Sequence, residues 1–335
     1  MIDRGEKMKD KPLIAVPSGD PSGIGPEIAV KCCASKDVSD VCIPVLTGSK
    51  EVFIAEAIKA GIDPSSLNFE DTGDLSSGVR YGIVDPSSGQ QAYIALKRAS
   101  DMCMKGQTSA MATPPINKSS LRAAGIMTVG HTELLGEFTK TYDPVTMFLT
   151  GEMKIFFLTR HISLMDACEN VTFDNVLSGI IRSDRALRLL GHTEEKPLVV
   201  AGLNPHNGEN GMFGTQERDH IIPAVEEAKR LGINVTGPVP ADSVFYLASQ
   251  GRFCAVLSLY HDQGHIAAKT YDFNGTISMT LGMPYLRTSV DHGTAFDIAG
   301  RGEADYNGIR KAVIAAARYG EIYRNNMRIY KINDC

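Results

Sequence analysis

Residues Lys196–Gly232, KPLVVAGLNPHNGENGMFGTQERDHIIPAVEEAKRLG, read as strand, loop and helix in succession. PLVVA has the length and composition of a buried strand, the Asn- and Gly-rich stretch after it that of a loop, and ERDHIIPAVEEAKRL an amphipathic pattern closed by a glycine. The same order recurs as PLIAV before a Gly/Pro loop, CIPVLTG before SKEVFIAEAIKAG, and TSAMAT before PPINKSSLRAAG. Short apolar runs alternating with longer amphipathic ones predict the α/β class, with a mostly parallel sheet covered by helices. Helix ends are legible too: Ser49 reads as an N-cap, Pro26 as a first-turn residue, and Gly61 and Gly232 as stops.

A chain of 335 residues, 43% hydrophobic and 22% charged, suits two domains or one large α/β unit and is far from a disordered composition. A formal net charge of -5 without any Lys/Arg block argues against a polyanion binder, so no nucleic-acid partner is expected. Cys32, Cys33, Cys42, Cys103, Cys168, Cys254 and Cys335 are odd in number, scattered, and without a C-x-x-C pair. They predict neither a disulfide framework nor a cysteine zinc site, and fit reduced thiols in the cytoplasm. The opening MIDRGEKMKDKP lacks the apolar core of a signal peptide, and no apolar run of the ~18 residues that a span requires follows, so no membrane association is expected.

Four polar, glycine-rich segments fall at expected strand ends: PSGDPSGIGPE (17–27), ATPPINK (112–118), GLNPHNGENGMFG (202–214) and YHDQGHIAAK (260–269). Such loops build the ligand crevice of open α/β sheets. The first holds Gly23-Ile24-Gly25 but neither the third glycine of a dinucleotide fingerprint nor a P-loop lysine, and by motif alone is a tight strand-to-helix turn. The last, after FCAVLSLY, is either a solvated turn or a functional loop. His161, His206 and His261 each follow an apolar run; three imidazoles with an open position suit a catalytic divalent ion, zinc most readily, although the wide spacing is not specific. Lys118, Lys269 and Arg287 lie in or beside Gly- and Thr-rich segments rather than on amphipathic faces. They are candidates to hold an anionic substrate, or ordinary solvated charges. GHTE occurs twice. At 130–133 it opens an amphipathic pattern and places His131 and Thr132 at a helix N-terminus, where backbone N–H groups favour anions; at 191–194 it reads as an exposed C-terminal turn, with His192 on the surface. No G-x-S-x-G is present, and a cysteine nucleophile has no local support.

In order, GDPSGIGPE, PPINK, GHTE, NPHNGENGMFG, GPVPAD, YHDQG and GMPYLRTSVDHGTAFDIAG resemble the 4-hydroxythreonine-4-phosphate dehydrogenase (PdxA) family, and DHGTAFDIAGRG also resembles the nicotinamide-cofactor loop of isopropylmalate and isocitrate dehydrogenases. The resemblance implies a two-domain isocitrate/isopropylmalate dehydrogenase-like α/β fold with α/β/α layers and the active site in the interdomain cleft. Its domains would be a discontinuous cofactor-side domain of residues 1–125 plus 285–335, and a metal, substrate and dimer-side domain of residues 126–284. It implies NAD or NADP, one divalent metal per site with zinc favoured over magnesium, manganese or cobalt, a phosphorylated small-molecule substrate, and a homodimer that shares the metal site.

Carried over residue by residue, the resemblance makes His161, His206 and His261 the metal ligands. His131, Thr132, Lys269, Ser278 and Arg287 become substrate-binding, and His292, Gly293, Thr294, Ala295 and Asp297 the cofactor loop. Asp242, Asp262 and Lys269 become the candidates for catalysis, as proton carriers or as partners that orient a ligand or substrate, and Gly264 lets the backbone turn beneath the site. The implied reaction is oxidation of a hydroxyl followed by loss of CO2 from the resulting β-keto acid. Two departures stand out: TISMTLG puts Ser278 where the pyridoxine-pathway enzyme has an asparagine, and HIAAK follows YHDQG where an apolar stretch with leucine and proline is expected. These resemble a paralogous branch acting on 4-phospho-D-threonate or 4-phospho-D-erythronate. The competing expectations are vitamin B6 synthesis itself, a metal-dependent phosphohydrolase, and a non-catalytic phosphometabolite-binding protein.

Overall fold

A computed structural model describes residues 11–333 apart from 74, 76, 77, 128, 129 and 194. The readings made on residues 1–10, Glu194 and Cys335 lie outside the described residues. The chain divides into two compact units, Met1–Pro144 with Gly282–Cys335, and Val145–Leu281.

The first unit contains β1 (Leu13–Pro17), α1 (Gly25–Cys33), α2 (Lys36–Val41), β2 (Ile43–Gly48), α3 (Lys50–Lys59), β3 (Asn68–Asp71), α4 (Pro86–Met104), β4 (Ala110–Thr113), α5 (Lys118–Ala123) and α6 (His131–Thr139). The second contains β5 (Val145–Thr150), β6 (Met153–Phe157), α7 (Leu164–Glu169), α8 (Phe173–Leu189), β7 (Leu198–Ala201), α9 (Ile222–Arg230), β8 (Val235–Val239), α10 (Ala241–Ser249), β9 (Ala255–Ser258), α11 (His261–Tyr271) and β10 (Ile277–Leu281). The chain then returns to the first unit with β11 (Leu286–Val290) and α12 (Asn307–Asn333).

In the first unit the strands run in the order β3-β2-β1-β4-β11, and every pair is parallel. The apolar runs are the buried strands: Ile14, Ala15, Val16 and Met111 are inaccessible to solvent, and Ala15 and Met111 pack with Leu96 and Ala99 of α4. Ser49 caps α3 by accepting from Val52 N–H, Pro26 is in the first turn of α1, and Gly61 and Gly232 take positive φ of 67° and 84° just past α3 and α9. In the second unit the order is β10-β5-β6-β9-β7-β8. Here the mostly parallel expectation holds with one exception: β5 runs antiparallel to both of its neighbours, β10 and β6, while β10, β6, β9, β7 and β8 all run the same way. The cause is the two-residue turn after Thr150, which opposes Met153 and so makes VTMFLTGEMKIFF a hairpin.

Three glycines act through missing bulk. A Cβ on Gly89 of α4 would lie 2.1 Å from the Ser120 carbonyl oxygen and 2.8 Å from Leu121 N, so α4 and α5 cross backbone to backbone. Gly25 meets the Ser18 carbonyl at 2.3 Å in the same sense, which closes the turn between β1 and α1. The third, Gly264, belongs to the site below. Because backbone cannot yield as a side-chain tip does, Gly89→Ala is expected to destabilise the protein by about 1–3 kcal/mol, read as a lowered urea midpoint with an unchanged slope.

Candidate active site

Parallel pairing of β6 with β9 sets the second unit's histidines in place. Phe157 is in register with Ser258, and beyond the strand ends Leu158 N–H donates to the Ser258 carbonyl at 2.8 Å while Thr159 Oγ1 donates to the Leu259 carbonyl at 2.8 Å. Two chains leaving side by side bring His161 and His261 together, with ring centroids 6.0 Å apart. His261 Nδ1 meets Asp262 Oδ1 at 2.7 Å, a contact that fixes ring orientation and leaves Nε2 for a ligand when Nδ1 carries the proton. One turn on, His265 places Nδ1 2.8 Å from the His261 carbonyl and stacks on the His261 ring at 3.6 Å and 11°, backed by Phe148 and Phe157.

YHDQGH is therefore neither a solvated turn nor a loop: α11 begins at His261. Gly264 is correspondingly not a turning point but a close-approach residue inside the helix, because a Cβ there would lie 2.5 Å from Phe157 Cε1 and 3.0 Å from Ile155 Cγ2. Buried Gln263 staples the strand ends, accepting from Leu259 N–H and donating to the Gly202 carbonyl, both at 2.8 Å. The expectation that Lys118 and Lys269 lie off helices also needs correcting: Lys269 stands in the last turn of α11 with its Nζ 5.3 Å from the Phe273 ring centroid, and Lys118 is the first residue of α5. Residues 261, 265 and 269 are spaced by four and share one stripe of the helix.

His206 follows β7 on an exposed turn of left-handed backbone. It does not complete a set with His161 and His261: among the described residues, no three His, Cys, Asp or Glu side chains are grouped to hold an ion. The His161 and His261 pair, with Asp262 on one ring, has the donor chemistry for part of a divalent-ion site and needs a further ligand. Asp242, in the first turn of α10, and Asp262 line one cavity of about 570 Å³ with Tyr246, Tyr260 and Ile266. Ser278 on β10 pairs directly with Phe148 on β5, so the two share a face, and Phe148 packs against His265.

In the first unit β11 carries Arg287, which is 5% exposed and donates from Nε to Thr113 Oγ1 at 3.0 Å and from Nη2 to Ser289 Oγ at 2.7 Å. Burial brings its pKa down to about 10, so the cation persists at neutral pH in a place unfavourable to it. His131 and half-buried Thr132 open α6, and His131 Nε2 is sealed from water without a partner. Burial, then the charge of Arg287, push the imidazole well below its ordinary range. Lys118 Cε and Glu133 Oε2 both lie close to Gly130, the residue that precedes the helix. A buried guanidinium, a helix N-terminus and a lysine, with one acidic neighbour, have the donor chemistry that an anion requires.

The segment DHGTAFDIAG supports its backbone on the first loop. Ile24 N–H donates to the Thr294 carbonyl at 3.0 Å, and a Cβ on Gly23 would lie 2.7 Å from Thr294 Cβ. Gly23-Ile24-Gly25 is thus a tight turn and a packing seat. Thr294 is buried, Ala295 takes φ 43°, His292 and Asp297 are exposed, and the space beside Gly293 is open. An accessible loop of this kind fits the edge of an extended cofactor.

Sequence reasoning missed Thr113 and Ser289, which hold Arg287, and buried Glu217, whose carboxyl group braces the His206 turn. It also placed His192 on the surface, whereas the residue is half-buried with Nε2 sealed from water and its pKa lowered by burial. The described cysteines are free thiols, and burial pushes Cys42 and Cys103 up to about 12, which argues against a nucleophilic role.

Comparison with known proteins agrees with this architecture. Residues 40–316 match the family model described as "Pyridoxal phosphate biosynthetic protein PdxA". The chain is 47% identical over 328 residues to a Fusobacterium nucleatum protein named "Putative D-threonate 4-phosphate dehydrogenase", covering 93% of this chain and 98% of the relative. It is 46% identical over 334 residues to a Clostridium botulinum protein of the same name, covering 95% and 99%. The crystal structure of a 4-hydroxythreonine-4-phosphate dehydrogenase from Klebsiella pneumoniae superposes with a TM-score of 0.84 at 34% identity, covering 94% of this chain and 99% of that one. Fold and relatives define the class as an α/β oxidoreductase. Within it, the chain belongs to the PdxA family.

His131 gives a pH signature. Its folded pKa is depressed, so below the ordinary value of 6.5 the unfolded chain takes up a proton that the folded protein refuses, and stability is lost as pH falls. Between pH 7 and about pH 5, the loss of thermal midpoint is expected to be shallower in His131→Gln than in the parent, as read by calorimetry.

Proposed function

We propose that the protein catalyses NAD(P)-dependent, divalent-metal-dependent oxidation and decarboxylation of a four-carbon hydroxy acid phosphate, 4-phospho-D-threonate or 4-phospho-D-erythronate, releasing CO2 and a three-carbon keto phosphate. The observation that carries this reading is the His161 and His261 pair with its Asp262 brace, accompanied by a buried, positively charged Arg287. The names of the most similar relatives support the substrate class. When bound, the metal, zinc by ligand type, would polarise the substrate's oxygens, and the nicotinamide would accept the hydride. His161, His206 and His261 would hold the ion as neutral imidazoles. Arg287, His131 and Thr132 would bind the phosphate, each charge-assisted contact contributing about 1.5–3 kcal/mol. Lys269 would steady the substrate from its position on the His261 face of α11, with Asp242 and Asp262 carrying protons from their shared cavity. His292, Gly293, Thr294, Ala295 and Asp297 would border the cofactor, which assigns the first unit to the cofactor and the second to the metal.

A homodimer with a shared metal site belongs to the proposal. Among the described residues one chain offers fewer than three grouped ligands, and exposed apolar residues follow the histidines in sequence: Ile162, Leu164 and Met165 after His161, Met212 and Phe213 after His206, and Ile266 after His265. Covering such residues favours association. Free thiols and the absence, among the described residues, of any helix long and apolar enough to cross a membrane fit the proposed cytoplasmic setting. The substrate preference rests on Ser278 and His265, which meet through Phe148. A serine hydroxyl in place of an asparagine amide changes what can be paired, and leaving a polar group unpaired costs about 1–3 kcal/mol.

Two measurements test the proposal. Side-by-side kinetics with NAD and a divalent metal are expected to give higher kcat/KM on 4-phospho-D-threonate or 4-phospho-D-erythronate than on 4-phosphohydroxy-L-threonine. Preference for the amino substrate would return the protein to vitamin B6 synthesis, and release of phosphate without reduced cofactor would make it a hydrolase. His161→Ala, His206→Ala and His261→Ala are each expected to lose turnover and bound metal while remaining folded, and mixing two singly inactive variants from opposite sides of a shared site is expected to recover partial activity. Activity in a monomer would refute the shared site.

A further inference from the structure

His206 stands in an unusual backbone. Five consecutive residues have positive φ: His206 at 52°, Asn207 at 55°, Gly208 at 78°, Glu209 at 42° and Asn210 at 57°. Four of them carry a Cβ, and the left-handed region is unfavourable for such residues, so a run of this length persists only where its surroundings over-determine it. Burial of the run does not supply that constraint, because His206, Glu209 and Asn210 are exposed. The constraint lies below it. Glu217 is 2% exposed; its Oε1 accepts from the backbone N–H groups of Leu203 and Asn204, both at 2.7 Å, and its Oε2 accepts from Asn204 Nδ2 at 2.8 Å. Gln216 Oε1 shares the Asn204 amide at 2.8 Å, and Asn207 Nδ2 ties the turn to the Pro238 carbonyl at 3.0 Å. A Cβ on Gly208 would lie 2.9 Å from Glu217 Oε2, so the carboxyl group also fills the floor of the turn.

We propose that Glu217 is the positioning residue for His206: by tying off Leu203 and Asn204 from beneath, it fixes the entry to the left-handed turn and hence where the imidazole is presented. This rests on the reading of His206 as a metal ligand. Both oxygens of the buried carboxyl group are taken up beneath the turn, so Glu217 acts through it. Residues that orient a ligand change metal affinity without themselves binding the ion.

The test uses the full-length protein, with Zn2+ affinity measured by chelator competition, the visible spectrum of the Co2+-loaded protein, and the thermal midpoint of the metal-free form. Glu217→Gln keeps an oxygen for the two backbone N–H groups but turns Nε2 against the Asn204 amide, donor facing donor. It is expected to weaken Zn2+ binding about 10–100-fold and shift the Co2+ bands, with the metal-free midpoint close to that of the parent. The swap Asn204→Asp with Glu217→Gln restores donor to acceptor between 217 and 204, with the Gln216 amide turning to donate where its Oε1 now accepts, and is expected to recover affinity and spectrum. A folded Glu217→Gln with parental Zn2+ affinity would overturn the proposal. If the single variant does not fold, the swap carries the test: recovered binding supports the proposal, and a folded swap that binds Zn2+ no better than His206→Ala overturns it. Failure of the underlying reading is distinguishable, because His206→Ala would then bind Zn2+ as the parent does.

Discussion

Parallel strands that end in register must release their chains side by side, and in the second unit this constraint governs the rest. β6 and β9 stop together at Phe157 and Ser258, the hydrogen bonds from Leu158 and Thr159 extend the pairing past the last rung, and His161 and His261 emerge as neighbours. The helix that follows β9 is drawn against β6 because Gly264 has no Cβ to hold it off. Closeness of α11 then stacks His265 on His261 and wedges it between Phe148 and Phe157. A larger residue at 264 would move the helix, and every histidine contact with it.

Electrostatics in the first unit follow a different logic. Arg287 is held by hydroxyl groups of Thr113 and Ser289, which satisfy N–H donors without supplying negative charge. Hydroxyl contacts leave the positive charge of the guanidinium in place, and the depressed His131 avoids adding a second buried positive charge to the same unit. Glu133, whose charge acts on Arg287 in the direction opposite to burial, tempers the site. Solvent screens charges held in this way less than it screens those of an exposed lysine patch.

Much of this was legible in the sequence. Strands were readable because buried parallel strands are short continuous apolar runs, and helix ends because Ser49, Gly61 and Gly232 have one dominant conformational use each. The family was readable because seven motifs keep their order, and the full-length relatives bear that out. The start of α11 was not readable: Tyr, His, Asp, Gln and Gly have the composition of a turn, and what makes them helical is tertiary, the burial of Gln263 and Gly264 against β6 and β7. The antiparallel turn after Thr150 was hidden because only Gly151 and Glu152 separate two apolar runs. Distances between histidines were out of reach in principle, since spacing along a chain does not fix spacing across a sheet.

Glu217 shows the same limit from the other side. An acidic residue opening an amphipathic segment is ordinary, so nothing in ERDHII marks one carboxyl group as buried under a loop. The turn itself leaves a trace, because NPHNGENG places Asn and Gly at three of its five left-handed positions, and those are the residue types that tolerate this backbone best. Of the other two, histidine visits this region more often than most residues and glutamate has no such preference, and both His206 and Glu209 are exposed, so neither gains packing in return for its conformation. A backbone strained at an exposed histidine, floored by a buried carboxyl group and tied at Asn207, is an arrangement that stability alone does not explain. A relaxed loop of the same length would satisfy the same backbone with less constraint, and the sense of the strain is that it aims the one imidazole it carries.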